Sequence, residues 1–209
     1  GAPVKLSDFK GKLVVLEWSN HQCPYVRKHY GAGNMQKTQA VARALGVVWI
    51  TIISSAPGEQ GHVDAAEADK LTVERKARPL HVLLDPQGQI GRLYAAKVTP
   101  HMFIVGTDGT LLYKGAIDSI RSSRQSDIAT AKNYVTAALG EIKAGTPVAD
   151  TDTAGFPHLD DSSGAIWEWY EIAAQPAYAF ITDDGRVETY LGALGAEGLE
   201  GIIEQLIVA

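Results

Sequence analysis

Cys23 is the only cysteine in a chain of 209 residues, and it lies where an apolar run gives way to a helical pattern. The run from Lys12 to Trp18 predicts a buried strand, and Pro24 is typical of the first turn of a helix. The free N–H groups of a helix N-terminus carry partial positive charge, which favours a thiolate over a thiol. We therefore predict a reactive Cys23; the alternative is a small buried residue without a chemical role.

Three basic side chains follow the cysteine closely: Arg27, Lys28 and His29. We expect them to add positive charge near the sulfur and so to favour the thiolate further. Arg27 fits two interpretations equally well, as a residue of the site and as a solvated helix residue.

Four residues raise the question of a metal site: His21, Cys23, His29 and His101. Thiolate and imidazole ligands suit copper or zinc. The spacing is weak support, because His21 and Cys23 flank a predicted tight turn and His101 lies on a strand whose alternate side chains face away. We assign no metal and no other cofactor.

The composition and charge of the chain bear on its expected partners and location. The net charge is −5, with no basic stripe, so nucleic acid is not an expected partner. No apolar run approaches the ~18 residues that would span a bilayer, so no membrane association is expected. A single cysteine excludes an internal disulfide and leaves the redox compartment undetermined. A soluble, cytoplasmic location is favoured over a secreted or periplasmic one.

Short β-branched runs alternate with helical patterns up to residue 144. This order, with two parallel crossovers followed by a hairpin, predicts an α/β fold with a central mixed sheet flanked by helices. The predicted strands cover residues 12–18, 47–54, 81–84, 102–105 and 110–116. The predicted helices cover residues 24–30, 34–45 and 63–77, a short segment ending at 94, and residues 127–144.

Three motifs point to a known family. They are the segment from Leu6 to Lys12 before the first strand, the Cys23-Pro24 step, and the segment from Val98 to Phe103 followed by Asp108-Gly109. With them, residues 5–145 resemble the redoxin branch of the thioredoxin fold, shared by alkyl hydroperoxide reductases and thiol-specific antioxidant (peroxiredoxin-like) proteins. The resemblance implies a thioredoxin-like fold. It also implies a cis peptide bond between Thr99 and Pro100, lying against the sulfur of Cys23.

The chain departs from that family at three places. Val26 occupies the second position of the Cys-x-x-Cys motif of thioredoxins, so exchange through an internal dithiol is excluded. Asn20 stands where peroxiredoxins have a Thr that hydrogen-bonds the peroxide. The active-site Arg of peroxiredoxins has no motif-matched counterpart, and Arg27 is only near the cysteine in sequence.

The C-terminal region repeats part of the first domain. Residues 161–170 align with residues 85–94, Pro176 with Pro100, and Asp184-Gly185 with Asp108-Gly109. We predict a domain over residues 1–145, a linker over 146–155, and over 156–209 a partial thioredoxin-fold repeat that lacks the half bearing the cysteine. This tail resembles the C-terminal half of secreted bacterial thiol-disulfide interchange proteins, so a natural fusion and a constructed chimera both remain open.

The tail is predicted to form a hairpin from residues 178–181 and 187–191, with Pro176 in a cis bond. A hairpin with two helices is marginal alone and leaves an unpaired strand edge. Three arrangements supply a partner: packing on the first domain, displacement of residues 81–145, or exchange with another chain, which would make a homodimer.

These patterns lead to a functional hypothesis. We predict a monothiol oxidoreductase in which the cysteine attacks a peroxide or a disulfide and an external thiol regenerates it. The alternative is a thioredoxin-fold binding module without turnover. The candidate catalytic residues are Cys23, Thr99, Pro100, Asn20 and Arg27.

Overall fold

The computed structural model describes residues 3–150 and the backbone of two later strands, residues 177–181 and 187–191. The chain divides into two compact units, residues 1–157 and residues 158–209. No helix within the described residues has the length and apolar character needed to cross a bilayer.

The first unit is built on a mixed five-stranded sheet. Its strands are β1 (Val14–Trp18), β2 (Val48–Ile53), β3 (His81–Leu84), β4 (His101–Val105) and β5 (Leu111–Gly115). Their spatial order is β3-β2-β1-β4-β5. The pairs β1–β2 and β2–β3 are parallel, whereas β4 runs antiparallel to both β1 and β5. The predicted parallel crossovers followed by a hairpin are therefore present.

Within the described residues, four helices lie between these strands and a fifth follows the last strand. They are α1 (Pro24–Gly31), α2 (Asn34–Ala44), α3 (Ala65–Glu74), α4 (Gln89–Leu93) and α5 (Tyr134–Lys143), and short 3₁₀ turns cover Leu6–Phe9 and Gln125–Ala129. A strand or helix was predicted at each strand and α-helix, with boundaries that differ by up to three residues outside the last helix. The turn Leu6–Phe9 was not predicted, and the second turn overlaps the start of the helix predicted over residues 127–144.

The predicted helix over residues 127–144 is wrong in its first part. Residues 125–129 form a 3₁₀ turn, and α5 begins only at Tyr134. Asn133 caps α5, because its side chain accepts a hydrogen bond of 2.9 Å from the backbone N–H of Thr136. An Asn side chain competes in this way with the helical backbone and favours a helix start over a helix interior.

The hydrophobic core lies on both faces of the sheet. Every residue of β1 is buried, since this central strand has a neighbour on each side and is covered on each face. Val15 belongs to the cluster that includes Val26 of α1 and Leu139 of α5. Leu16 and Trp18 point to the opposite face. The strand that leads to Cys23 is therefore held from both sides.

The second unit is described only by a hairpin. The strands β6 (Ala177–Ile181) and β7 (Val187–Leu191) pair antiparallel, with Ala177 opposite Leu191, and form a two-stranded sheet of their own. They lie where the sequence predicted strands. Pro176 and the remaining tail residues are outside the described part of the chain, so the cis bond at Pro176, the half-repeat and the homodimer stay predictions.

Candidate functional site

Cys23 occupies the N-cap position of α1. Its backbone is extended, with φ −62° and ψ 127°, and Pro24 follows in the first turn. The carbonyl of Cys23 accepts a hydrogen bond of 2.9 Å from the N–H of Arg27, which starts the helix. Pro24 fits because the first N–H groups of a helix lack an intrahelical acceptor. The thiol is half-buried and stands at the positive end of α1.

Thr99 and Pro100 meet the cysteine from the other side. The thiol of Cys23 donates a hydrogen bond of 3.0 Å to the carbonyl oxygen of Thr99. The peptide bond between Thr99 and Pro100 is cis, and Pro100 is buried at the start of β4. The pairing of β4 with β1, which sets His101 opposite Trp18, brings these distant segments together. Three of the predicted site residues, Cys23, Thr99 and Pro100, therefore lie next to each other.

This hydrogen bond has a chemical consequence. The thiol proton makes this bond, and a carbonyl oxygen has no hydrogen to offer a sulfur that has lost its proton. Reaction of Cys23 as a thiolate therefore requires that the bond to Thr99 be given up.

Asn20 has a structural task. Its side-chain oxygen accepts a hydrogen bond of 2.8 Å from the N–H of Gln22, and its amide nitrogen donates one of 3.1 Å to the carbonyl of Gln60. Gly61 makes room for it, since a Cβ there would lie 2.2 Å from the Asn20 oxygen, and its φ of +83° suits glycine. Asn20 thus ties the loop before the cysteine to the loop around Gln60, and both ends of its amide are engaged.

Arg27 lies on the exposed side of α1. Its effect is visible at His21, in the loop before the cysteine. Burial lowers the pKa of His21, and the charges of Arg75 and Arg27 lower it further, while Glu67 raises it. Arg27 therefore adds positive potential beside this loop, although the structure does not place its guanidinium on the sulfur.

Lys28 and His29 do not act as the sequence predicted. Lys28 is 1% exposed, and its ammonium lies 2.7 Å from a carboxylate oxygen of Asp118 and 2.9 Å from the carbonyl of Ile120. Its charge is compensated there. Burial lowers the pKa of His29 to about 4, against the attraction of Asp118, so this ring is neutral at pH 7. Neither residue presents a free positive charge to Cys23.

Glu17 is a buried acid that the sequence analysis missed. It lies in the middle of β1 and is fully buried. The hydroxyl of Tyr30 donates to it at 2.9 Å, the indole of Trp49 at 3.0 Å and the hydroxyl of Thr51 at 3.1 Å. Burial raises the pKa of Glu17 above its ordinary value, although these hydrogen bonds oppose the change. In the sequence, the signal for this buried acid was a glutamate within an otherwise apolar predicted strand.

The described residues contain no group of three or more His, Cys, Asp or Glu side chains placed to hold a metal ion. His29 receives a hydrogen bond of 2.8 Å from the amide of Asn34, which occupies one ring nitrogen. His101 is buried, and its ring packs on Phe103 with 4.5 Å between the centroids. Two of the three histidines considered as ligands, His29 and His101, are thus engaged in the core.

Comparison with known proteins identifies the family. The family model of AhpC/TSA proteins matches residues 1–114, more than half of the chain. The chain belongs to the AhpC/TSA family. This confirms the resemblance noted in the sequence, and the mixed sheet flanked by helices is the thioredoxin-like fold expected from it.

Two solved structures with TM-scores above 0.5 share this fold, and a third is similar over a smaller part of the chain. An uncharacterized conserved protein from Geobacillus kaustophilus is 21% identical, with a TM-score of 0.57, over 72% of this chain and 77% of that chain. A hypothetical protein from Sinorhizobium meliloti 1021 is 18% identical, with a TM-score of 0.55, over 71% and 79%. A secreted Mycobacterium tuberculosis disulfide oxidoreductase homologous to E. coli DsbE is 21% identical, with a TM-score of 0.42, over 53% and 74%. No curated protein matches the chain.

Proposed function

We propose that this AhpC/TSA family member is a monothiol oxidoreductase that reacts through Cys23. The observation that carries the proposal is the position of the thiol. It is half-buried at the first turn of α1 and 3.0 Å from the carbonyl of Thr99, beside the buried Pro100. A partly exposed thiol at a helix N-terminus is the arrangement that makes sulfur nucleophilic.

Disulfide exchange is the first reaction within this proposal. Cys23 loses its proton to water, and its sulfur attacks one sulfur of the substrate disulfide. A new S–S bond forms, the old one breaks, and the leaving thiolate takes up a proton. Since the chain holds no second cysteine, an external thiol must attack the mixed disulfide and release Cys23.

Peroxide reduction is the second reaction within the same proposal. The sulfur would attack one peroxide oxygen, break the O–O bond and become a sulfenate, while the other oxygen leaves as water or an alcohol. One external thiol would then form a mixed disulfide with loss of water, and a second would restore Cys23. The surroundings favour this reaction less, because Asn20 stands at the Thr position of peroxiredoxins and its amide is bound to Gln22 and Gln60, which leaves one N–H for a peroxide.

A thiol-specific chromogenic disulfide tests the proposal. We expect the wild-type protein to release one equivalent of the coloured thiol per chain, about ten-fold faster than glutathione at pH 7. Cys23→Ser should release none and keep the same circular dichroism spectrum. Mass spectrometry after one equivalent of hydrogen peroxide then shows whether a sulfenate forms as well.

The rate decides between the two functional hypotheses. A Cys23 that reacts no faster than glutathione contradicts the oxidoreductase and favours a binding module without turnover. The hydrogen bond to Thr99 is the feature that would slow the reaction, because the thiol proton that makes this bond must leave before the sulfur attacks.

A further inference from the structure

A groove of about 780 Å³ lies between α2 and the turn that follows α3. It is separate from the residues that contact Cys23. The helix side of the groove is lined by the N-cap residue of α2 and by six residues of the helix itself: Gly33, Gln36, Lys37, Gln39, Ala40, Arg43 and Ala44. Gly33, Ala40 and Ala44 have no side chain beyond Cβ, so a ligand backbone can approach the helix closely at these three positions.

Among the described residues, four cationic side chains and no acidic one line the groove. They are Lys37 and Arg43 on α2, and Lys76 and Arg78 on the turn after α3. All four are exposed. Within the described part of the chain, the ion pairs involve other residues. Four like charges around one groove repel each other, and an anion would relieve that repulsion.

Two glutamines of α2 fix the walls of the groove. The amide of Gln36 donates a hydrogen bond of 2.6 Å to the carbonyl of Arg75, and the side-chain oxygen of Gln39 accepts one of 2.8 Å from the N–H of Arg78. Lys76, between these two residues, has the left-handed φ of 54°. The turn is thus bonded to α2 on both sides of Lys76, so the two pairs of cations keep a defined separation.

We propose that this groove binds an acidic peptide segment of a partner protein in extended conformation. Successive side chains of an extended strand point in opposite directions, so neighbouring carboxylates would reach the cations on opposite walls. The helix α2 is about 16 Å long, which matches about five extended residues. No aromatic side chain in the described part of the chain lines the groove, whereas single-stranded nucleic acids are bound through aromatic stacking. The proposal does not depend on the chemistry of Cys23.

Fluorescence anisotropy of a labelled pentaglutamate peptide, with the full chain, tests this inference. We expect saturable binding that weakens as salt is added. The double variant Lys37→Glu/Arg43→Glu should weaken the Kd by about ten-fold or more. A labelled pentaglutamine peptide should not bind. Thermal unfolding of each variant checks that the fold is kept.

Lys10→Glu/Lys143→Glu is the matched control, because it makes the same change in net charge at two exposed residues outside the groove. Its Kd should stay within about two-fold of wild type. Equal weakening in both double variants would reduce the effect to overall charge and overturn the proposal. Absence of saturable binding, or tighter binding of an oligothymidine of the same charge, would also overturn it.

Discussion

At the scale of single residues, the site is defined by what each polar side chain already bonds. Cys23 donates to Thr99, Asn20 joins two loops, and Glu17 accepts from three donors. The cysteine itself was evident from its place between a strand and a helix. The roles of Asn20 and Glu17 were not, because residues such as Gln60 and Trp49 come close to them only in the folded chain.

His29 should make the protein sensitive to acid. Its pKa is lowered to about 4 in the folded state, first by burial, so the unfolded chain takes up this proton earlier, near pH 6.5. The neutral ring therefore supports folding fully above pH 6.5, and this contribution is lost as the pH falls toward 4. We expect the free energy of unfolding to drop by about 3 kcal/mol over that window.

Urea titrations between pH 7 and pH 4 measure this change. A His29→Gln variant should lack most of the acid-dependent loss, whereas His62→Gln, at a half-buried loop position, should keep it. An identical slope in wild type and His29→Gln would show that other groups cause the acid sensitivity.

At the scale of elements, α1 is held to the sheet by a charge pair that no local pattern reveals. Lys28 and Asp118 lie 90 positions apart, and their 2.7 Å contact joins α1 to the segment after β5. The sequence predicted α1 because its signals are local, a proline at the start and glycines after the end. The last helix was predicted to begin at residue 127, which is too early, because the capping residue Asn133 lies within an otherwise helical pattern.

Breaking this pair should be costly. Lys28→Met leaves the buried carboxylate of Asp118 without its counter-charge, so we expect a loss of about 3–5 kcal/mol in the free energy of unfolding. Lys28→Met/Asp118→Asn should lose less than Lys28→Met alone, since no unpaired charge is then buried. Chemical denaturation of both variants measures the difference. A double variant less stable than the single one would mean that packing, and not charge, accounts for the loss.

At the scale of the whole molecule, charge is divided unevenly along the chain. Residues 1–150 hold 18 Lys and Arg and 13 Asp and Glu, whereas residues 151–209 hold 1 Arg and 11 Asp and Glu. Although the net charge of the whole chain is −5, residues 1–150 carry more positive than negative charge. The cationic groove could not be predicted from the sequence. Its cations come from segments about 39 positions apart, which the glutamine contacts of α2 bring together.

The five-stranded sheet is complete within residues 14–115, and both of its faces are covered by residues before 150. A chain ending at residue 150 should therefore fold cooperatively, keep the circular dichroism spectrum of a mixed α/β protein and alkylate Cys23 at the wild-type rate. It should also bind a cation exchanger at pH 7, because its Lys and Arg outnumber its Asp and Glu. If the truncated chain instead aggregates or unfolds without a cooperative transition, the arrangement in which the tail replaces residues 81–145 in the sheet gains support, because the first half would then depend on the tail.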